Sequence, residues 1–352
     1  MTPARIPVAV LGATGTVGQK FVRLLAGHPW FEVAVVSASA QSAGRAYAEA
    51  VRWREPTPLP DSAGSLVVRN VDETLDVPLA FSALDAVLAG PLERKLAAAG
   101  VHVVSNASAH RMDPLVPLLI PEVNAGHLGL LGRQRSEYGW SGGIVANPNC
   151  LAAALVLGVA PLHAAFGIDR MVVSSMQAVS GAGYPGVASL DILGNVIPYI
   201  SGEEEKIERE TRKLLGSLTG DRVADAPIVI SAHANRVPSI DGHLAAVSLG
   251  LARPATPEQA FAALESWRGN AQVAALPSTP ERPIEVDPRP DRPQPRLDSE
   301  RGAGMSVTVG RVRRCHLLDL RLVVLGHNTV RGAAGAAVQN AELLVATGEV
   351  AR

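Results

Sequence analysis

The sequence predicts an α/β protein of two domains, the first a parallel sheet with crossover helices. Three observations carry that prediction. A short apolar run, Val8–Leu11, leads straight into Gly12-Ala13-Thr14-Gly15-Thr16-Val17-Gly18 and a helical pattern through Leu25. Strand-like and helix-like runs then alternate, which is the order a parallel sheet needs. Near Asn147 the texture changes, and a second unit begins at Cys150.

Taken in order, Glu32–Ser37 reads as the second strand, rich in valine. Leu66–Val71, Pro78–Phe81 and Val101–Ser105 read as further strands, with a helix over Pro91–Ala99. A helix starts at Cys150, Arg170–Ser175 is a strand, and Glu203–Leu215 is a charged helix. Ser201 followed by Glu204 predicts a capping box at the start of that helix. Val307–Arg313 and Asp319–Leu325 read as paired strands, and Ala333–Ala346 as a last helix that returns to the first domain. Leu276–Gly302 holds seven prolines, so composition leaves order and disorder equally open there.

Bulk properties narrow the function classes. At 352 residues, with 47% hydrophobic and 18% charged residues, the chain has enough apolar material for a sizeable core. A net charge of −1 offers no basic footprint for nucleic acid and no polybasic face for a membrane. The apolar runs are broken well short of the ~20 residues a membrane span needs. Met1–Arg5 runs into the first strand with no signal segment ahead of it, and two cysteines make no disulfide framework. The expectation is a cytoplasmic enzyme.

The glycine turn is the strongest local signal for a cofactor. Glycines let the backbone approach a pyrophosphate, and the helix N-terminus behind them supplies free N–H groups and partial positive charge. The spacing, G-x-x-G-x-x-G over Gly12, Gly15 and Gly18, varies from the commoner G-x-G-x-x-G. Gly12, Thr14, Gly15, Thr16, Val17 and Gly18 are therefore candidate cofactor contacts. The second strand ends in Ser37-Ala38-Ser39, followed by Gln41, Ser42 and Arg45. No carboxylate stands there to accept from a ribose 2′-OH or to repel a 2′-phosphate, so NADP is expected over NAD, held by Ser37, Ser39 and Ser42.

Asn147-Pro148-Asn149-Cys150 precedes an Ala/Leu-rich helical run, which puts Cys150 at a helix N-terminus. The dipole there favours thiolate over thiol, whose free pKa is about 8.5. From the residues alone Cys150 reads either as a nucleophile or as a small buried residue. Cys315, between two strands, reads as structural. Among nine histidines, His243 in a turn-rich segment and His327 in Gly326-His327-Asn328-Thr329 both remain candidates for a base. No cluster has zinc-site spacing, so no metal is expected. Glu203 and Lys206, three apart on the charged helix, share a face and read first as a solvated ion pair. Arg111 and Arg236 could each fork onto a carboxylate or a phosphate.

Together these residues resemble the aspartate-semialdehyde dehydrogenase family, most closely its branch in archaea, fungi and some bacteria. The motifs run in order over almost the whole chain. They are the glycine loop, Ser105-Asn106-Ala107 to Arg111-Met112-Asp113, Pro117–Asn124, Asn147–Cys150, and Ser180-Gly181-Ala182-Gly183-Tyr184-Pro185-Gly186. Beyond these come Gly202–Lys206, Asn235–His243, Arg292–Asp298 and Gly326–Gly335.

The resemblance implies a Rossmann-type NADP-binding domain over 1–149, completed by the C-terminal helix 329–352. It also implies an α+β catalytic and dimerisation domain of the glyceraldehyde-3-phosphate dehydrogenase-like type over 150–328. Cys150 then matches the nucleophile, His243 the acid/base that settles the choice against His327, and Gln177 the amide that orients substrate. Arg236 matches the clamp for the α-carboxylate, and Glu203 the partner of the ammonium. Arg111, Asn149 and Lys206 match the phosphate site, and Asn328 a contact on the nicotinamide side. The Pro-rich stretch matches an ordered segment.

The implied reaction joins aldehyde, NADP and phosphate through a thioester, in a homodimer or homotetramer. Three positions depart from the pattern: Ala245 where an acidic residue is expected, Leu151-Ala152 where Ser-Thr is common, and Gln41 where a basic residue often holds the 2′-phosphate. Two rival readings stand beside it. One is a malonyl-CoA reductase of the same fold, which needs no phosphate clamp or ammonium partner. The other is a non-catalytic NADP-sensing protein, which need not keep Cys150, Gln177 and His243.

Overall fold

The computed structural model describes residues 4–352; residues 1–3, part of the Met1–Arg5 segment read above, lie outside them. The first sheet takes β1 (Ile6–Leu11), β2 (Phe31–Ala38), β3 (Arg69–Asn70), β4 (Leu79–Ser82), β5 (His102–Ser105) and β6 (Gly143–Ala146) in the order β3-β2-β1-β4-β5-β6. Every neighbour pair is parallel. The strand order reverses between β1 and β4, and the carboxyl ends of strands at such a switch point open a crevice for ligand. Helix α1 (Thr16–Leu25) follows β1 and α2 (Ala86–Ala98) follows β4.

Two readings need correction here. The helix expected from Pro91 starts five residues earlier, where the Asp85 carboxylate caps it by accepting from the Val87 and Leu88 N–H groups. Pro91 marked the wrong start because it lies inside the helix. The strand expected over Leu66–Val71 pairs only at Arg69–Asn70, with Val67 making a lone bridge to Ala46.

Helix α3 (Cys150–Phe166) is apolar on every side, so it can be stable only when buried all round. One side chain cluster joins it to residues of both sheets, including Leu11, Val103 and Ile144 of the first and Val247, Val309 and Val324 of the second. The second sheet is mixed. It takes β7 (Ile168–Gln177), β10 (Val229–Arg236), β11 (His243–Leu251), β12 (Ile284–Asp287), β13 (Val307–Arg314) and β14 (Leu320–Gly326) in the order β10-β7-β11-β14-β13-β12. A small hairpin, β8 (Ser217–Thr219) with β9 (Arg222–Ala224), follows helix α4 (Glu203–Leu214). β7 alternates buried and open positions, so one face of the sheet covers α3 and the other is open.

The expected capping box on α4 is absent. Gly202 at the N-cap is left-handed (φ 63°) and no side chain caps the helix; the Glu204 carboxylate instead accepts from the Ala234 N–H of β10. The Pro-rich segment is ordered: it contributes β12, and Arg301 bridges Asp287 and Asp298, each at 2.8 Å. The chain closes with a π-helical turn, Val330–Ala334, running into α5 (Gly335–Ala346). Ala337, Val338 and Ala341 of α5 share a core cluster with Val8, Val10 and Phe21.

Candidate active site

A cleft of about 640 Å³ opens where the first sheet meets the second, lined by Thr16 and Val17 at one end and Cys150, Gln177, Glu203 and Arg236 at the other. Another hollow, of about 660 Å³, lies among Glu122, His127, Leu214 and Trp267, and none of the predicted site residues lines it.

The cofactor end is built from backbone. Gly12 has φ +72°, and a Cβ there would come 2.9 Å from the Ala83 carbonyl oxygen. A Cβ on Gly18 would fall 2.2 Å from the Gly12 oxygen, so glycine is what lets α1 fold down on the loop. Gly15 is the N-cap of α1 and offers no side-chain cap, which leaves the first N–H groups facing outward. The Thr16 hydroxyl is buried without a partner. A narrow glycine cradle, an uncapped helix start and an orphan hydroxyl fit a pyrophosphate, and Gly12 through Gly18 would hold it. Of the serines predicted at the ribose, Ser39 is exposed and Ser42 half-exposed, whereas Ser37 is wholly buried beneath the strand end with an unpartnered hydroxyl. Ser37 therefore cannot reach a 2′-phosphate from this position. Arg45, the nearby cation, donates to the Glu49 carbonyl.

At the catalytic end Cys150 is the first residue of α3, with Asn149 as N-cap. The Asn149 Oδ1 accepts from the Leu151 and Ala152 N–H groups (3.0 and 3.1 Å), and its Nδ2 donates to Glu203 Oε1 at 2.9 Å. Its polar groups are thus engaged within the protein. The expectation of a favoured thiolate does not hold in this arrangement. Burial, and then the charge of Glu203, push the Cys150 thiol up to about 12, against the opposing pull of Arg111, the Leu151 N–H and Arg236. The helix terminus is outweighed by lost solvation and one carboxylate.

Gln177 and Arg236 end the parallel neighbours β7 and β10, directly opposite in register, which aims both into the cleft. Arg236 is anchored by one donor, Nη1 to the Ala178 carbonyl at 2.8 Å. His243 opens β11 and is fully buried under Gly181, not open to the cleft as a turn residue. A Cβ on Gly181 would stand 2.9 Å from the His243 ring and 2.8 Å from Arg236 Nη1. The Nδ1 of His243 accepts from the Ala178 N–H at 3.1 Å, so a neutral ring carries its proton on Nε2, which has no partner. Burial, then Arg236 and His327, push its pKa down to about 3.

His327 is buried apart from the cleft lining, with Nε2 3.2 Å from Glu300. Asn328 lines the cleft and braces it, accepting from the Gly242 N–H (2.9 Å) and donating to the Ser180 hydroxyl (2.7 Å). Glu203 and Lys206 do share a face, but at 3.9 Å and turned to the cleft, with Glu203 buried. Arg111 also lines the cleft and donates to Glu210 (3.1 Å) and to the Asn106 carbonyl (2.8 Å).

Two regions of the chain match family models: residues 7–130 the NAD binding domain, and 159–331 the dimerisation domain, of semialdehyde dehydrogenases. The aspartate-semialdehyde dehydrogenase of Archaeoglobus fulgidus is 50% identical over 97% of this chain and 98% of its own. The chain belongs to the aspartate-semialdehyde dehydrogenase family. The enzyme of that name from Schizosaccharomyces pombe is 47% identical over 97% of this chain and 98% of its own. The crystal structure of the Candida albicans aspartate-semialdehyde dehydrogenase with NADP superposes with a TM-score of 0.91, at 41% identity over 99% of this chain and 100% of that one.

Against the family pattern, the structure accounts for two of the three departures. Leu151 and Ala152 lie in the core, and their N–H groups are already capped by Asn149, so no hydroxyl is needed there. Ala245 is wholly buried between Ser175 of β7 and Val324 of β14, where an unpaired carboxylate would be costly. Sequence reasoning missed the residues that support the site from behind. The Tyr47 hydroxyl donates to the Ala13 carbonyl at 2.7 Å and Gln19 to that of Thr14 at 2.9 Å, fixing the glycine loop. Asn147 donates to Asn106 (2.8 Å) and to the Ala333 carbonyl (2.9 Å), tying the nucleophile loop to the end of β5 and to the π-helical turn of the C-terminal segment. Gly332, in the π-helical turn, lies against Cys150: a Cβ there would be 2.7 Å from that of the cysteine. Tyr47 carried no local signal, and Asn147 was visible only as the first residue of the Asn147–Cys150 motif, with nothing to say that it would bond Asn106 and Ala333. The wide π-turn marks a site by its geometry alone.

Proposed function

We propose that the chain carries out NADPH-dependent reductive dephosphorylation of L-aspartyl 4-phosphate to L-aspartate 4-semialdehyde, through a thioester on Cys150. The reaction serves the biosynthesis of lysine, methionine and threonine. The observation that carries this reading is one cleft in which a cysteine at a helix start meets Gln177, Arg236, Glu203, Lys206 and Arg111, beside a glycine cradle.

In that reading Arg236 grips the substrate α-carboxylate, Glu203 pairs with its ammonium, and Arg111 and Lys206 hold the phosphate, with Asn149 fixing the cap behind the thiol. Pairing Glu203 with an ammonium offsets the carboxylate charge that, after burial, raises the thiol's pKa. The Cys150 sulfur then adds to the acyl carbon, the C–O bond to phosphate breaks, and phosphate leaves with the bond pair and takes up the thiol proton, departing as hydrogen phosphate. When bound, NADPH supplies hydride to the thioester carbon. The resulting oxyanion meets a hydrogen-bond donor at His243 Nε2–H, with Gln177 orienting the substrate. Its collapse expels the Cys150 thiolate, which is reprotonated as the aldehyde leaves. Because Nδ1 is occupied by the Ala178 N–H, His243 acts as a donor in this direction, and taking up a proton at Nε2 requires the opposite tautomer.

We also read 1–149 with 329–352 as the cofactor-binding unit and 150–328 as the catalytic and dimerisation unit. The open face of the second sheet carries exposed Val172 and Val229, and the segment ahead of α4, bridged to β10 by Ile197 and Arg236, exposes Leu190, Leu193, Val196 and Tyr199. A second copy of the chain would cover that apolar surface, giving a homodimer. Light scattering should then return twice the chain mass, and a monomer would refute it. An unpaired catalytic thiol suits a reducing compartment such as the cytoplasm, which cell fractionation checks. Among the described residues no helix is long and apolar enough to cross a membrane.

The test of the reaction is reduction of NADP in the presence of aspartate semialdehyde. It should depend on inorganic phosphate, and NADPH oxidation by malonyl-CoA should be negligible. Reduction independent of phosphate, or preference for malonyl-CoA, would overturn the reading.

A further inference from the structure

We propose that Glu210 and Lys213, which contact no substrate in the reading above, are the positioning residues that set the phosphate site. Both lie on the inward face of α4, and they are 2% and 4% exposed. Burying a full charge is expensive, so a side chain needed only for packing would be apolar at either place.

Lys213 spends its three donors on one loop. Its Nζ donates to the carbonyls of Arg111 (2.8 Å), Asp113 (2.8 Å) and Val116 (3.0 Å). Arg111 ends a short 3₁₀ turn, Ser108–His110, and the loop beyond it is held by its own turn bonds, Arg111 N–H to Ser108 and Asp113 N–H to His110, with this ammonium gathering three of its carbonyls to one point on α4. Glu210 stands one turn earlier on the same face and divides its carboxylate. One oxygen accepts from the Arg111 guanidinium (Nη1, 3.1 Å), the other from the Asn149 N–H at 2.5 Å. One helix end thereby holds the backbone of the Arg111 loop, the Arg111 side chain and the residue that caps the nucleophile's helix. The remaining guanidinium contact is to the Asn106 carbonyl, while Arg111 Nε is buried without a partner. The guanidinium is therefore oriented before any anion arrives, which lowers the cost of binding one.

This inference rests on Arg111 being the phosphate-binding arginine, and the experiment separates the two claims. Steady-state kinetics with aspartate semialdehyde, NADP and inorganic phosphate would compare Arg111→Ala, Lys213→Gln, Glu210→Gln and the double variant Arg111→Ala/Lys213→Gln. Lys213→Gln should raise KM for phosphate by about tenfold, the scale of a lost charge-assisted bond. KM for aspartate semialdehyde should stay within about twofold, whereas a merely structural defect would lower the active fraction and leave both KM values alone. Glu210→Gln, which keeps an acceptor of the same shape, should show a smaller rise of the same selectivity. It carries the test if Lys213→Gln does not fold. The double variant should bind phosphate no worse than Arg111→Ala, because Lys213 acts through Arg111. If Arg111→Ala raises KM for phosphate and neither single variant on α4 does, or if the double variant's losses add, the positioning role is overturned and the phosphate site stands. If Arg111→Ala itself leaves phosphate KM unchanged, the reading beneath both is wrong.

Discussion

The two ends of the cleft are built by opposite means. At the cofactor end the chain presents backbone: Gly12 and Gly18 clear space, and the start of α1 is left uncapped. At the catalytic end it presents side chains already committed to one another, Arg111 with Glu210, Glu203 with Asn149, and Arg236 with the Ala178 carbonyl. A backbone site offers a fixed shape that tolerates no added atom. A side-chain site offers charges whose strength depends on their neighbours, and the thiol of Cys150 is the clearest case. The first should fail sharply on steric change, the second by degrees on change of charge.

The largest effect sharpens the catalytic side. His243→Ala should lower turnover by about 10²–10⁴-fold, while His327→Ala costs far less. Because burial pushes the His243 pKa down to about 3, the ring stays neutral above that value. A pH–rate profile should show no loss of turnover from its protonation as pH falls from 7 to 5. Greater damage in the His327 variant would show that the other histidine does the chemistry.

Next comes the cofactor side. Gly18→Ala puts a methyl group 2.2 Å from the Gly12 oxygen, and only backbone can give way. Such strain costs on the order of 1–3 kcal/mol, so NADP affinity should fall roughly tenfold or more. Calorimetric titration that finds unchanged affinity would mean the loop does not hold the pyrophosphate.

How much of each end was legible follows from the same contrast. The glycine loop is contiguous, so its strand, turn and helix could be read from Val8 to Leu25, and β1 and α1 lie there. The catalytic end is assembled from β5, α3, β7, α4, β10 and β11, and no spacing in the chain says that Arg111 will meet Glu210, 99 residues away. Only the resemblance brought Gln177, Arg236 and His243 together. Asn235–His243 read as a turn because Pro238 and Gly242 stand out, and the flanking strands β10 and β11 went unseen. The expected thiolate failed because a helix terminus is visible in sequence, whereas burial and the approach of Glu203 are not.

Two smaller effects follow. Glu203→Gln removes the carboxylate that disfavours the thiolate, so the Cys150 pKa should fall and its thiolate fraction rise at any given pH near 8. Alkylation by iodoacetamide should then quicken severalfold even as turnover drops; an unchanged or slower rate would remove Glu203 from the electrostatics of the thiol. Ser39→Asp should shift preference from NADP towards NAD, because an exposed carboxylate there repels a 2′-phosphate and accepts from the 2′-OH. A ratio of catalytic efficiencies that does not move would show that another segment reads the ribose.

The covalent step is tested most directly by mass. The enzyme incubated with aspartyl phosphate and no NADPH should gain one aspartyl group, released by hydroxylamine and mapped to the peptide that holds Cys150. Cys150→Ala should gain none while still binding NADP. An adduct on Cys315, or turnover without any acyl-enzyme in the parent and the variant alike, would contradict the thioester mechanism.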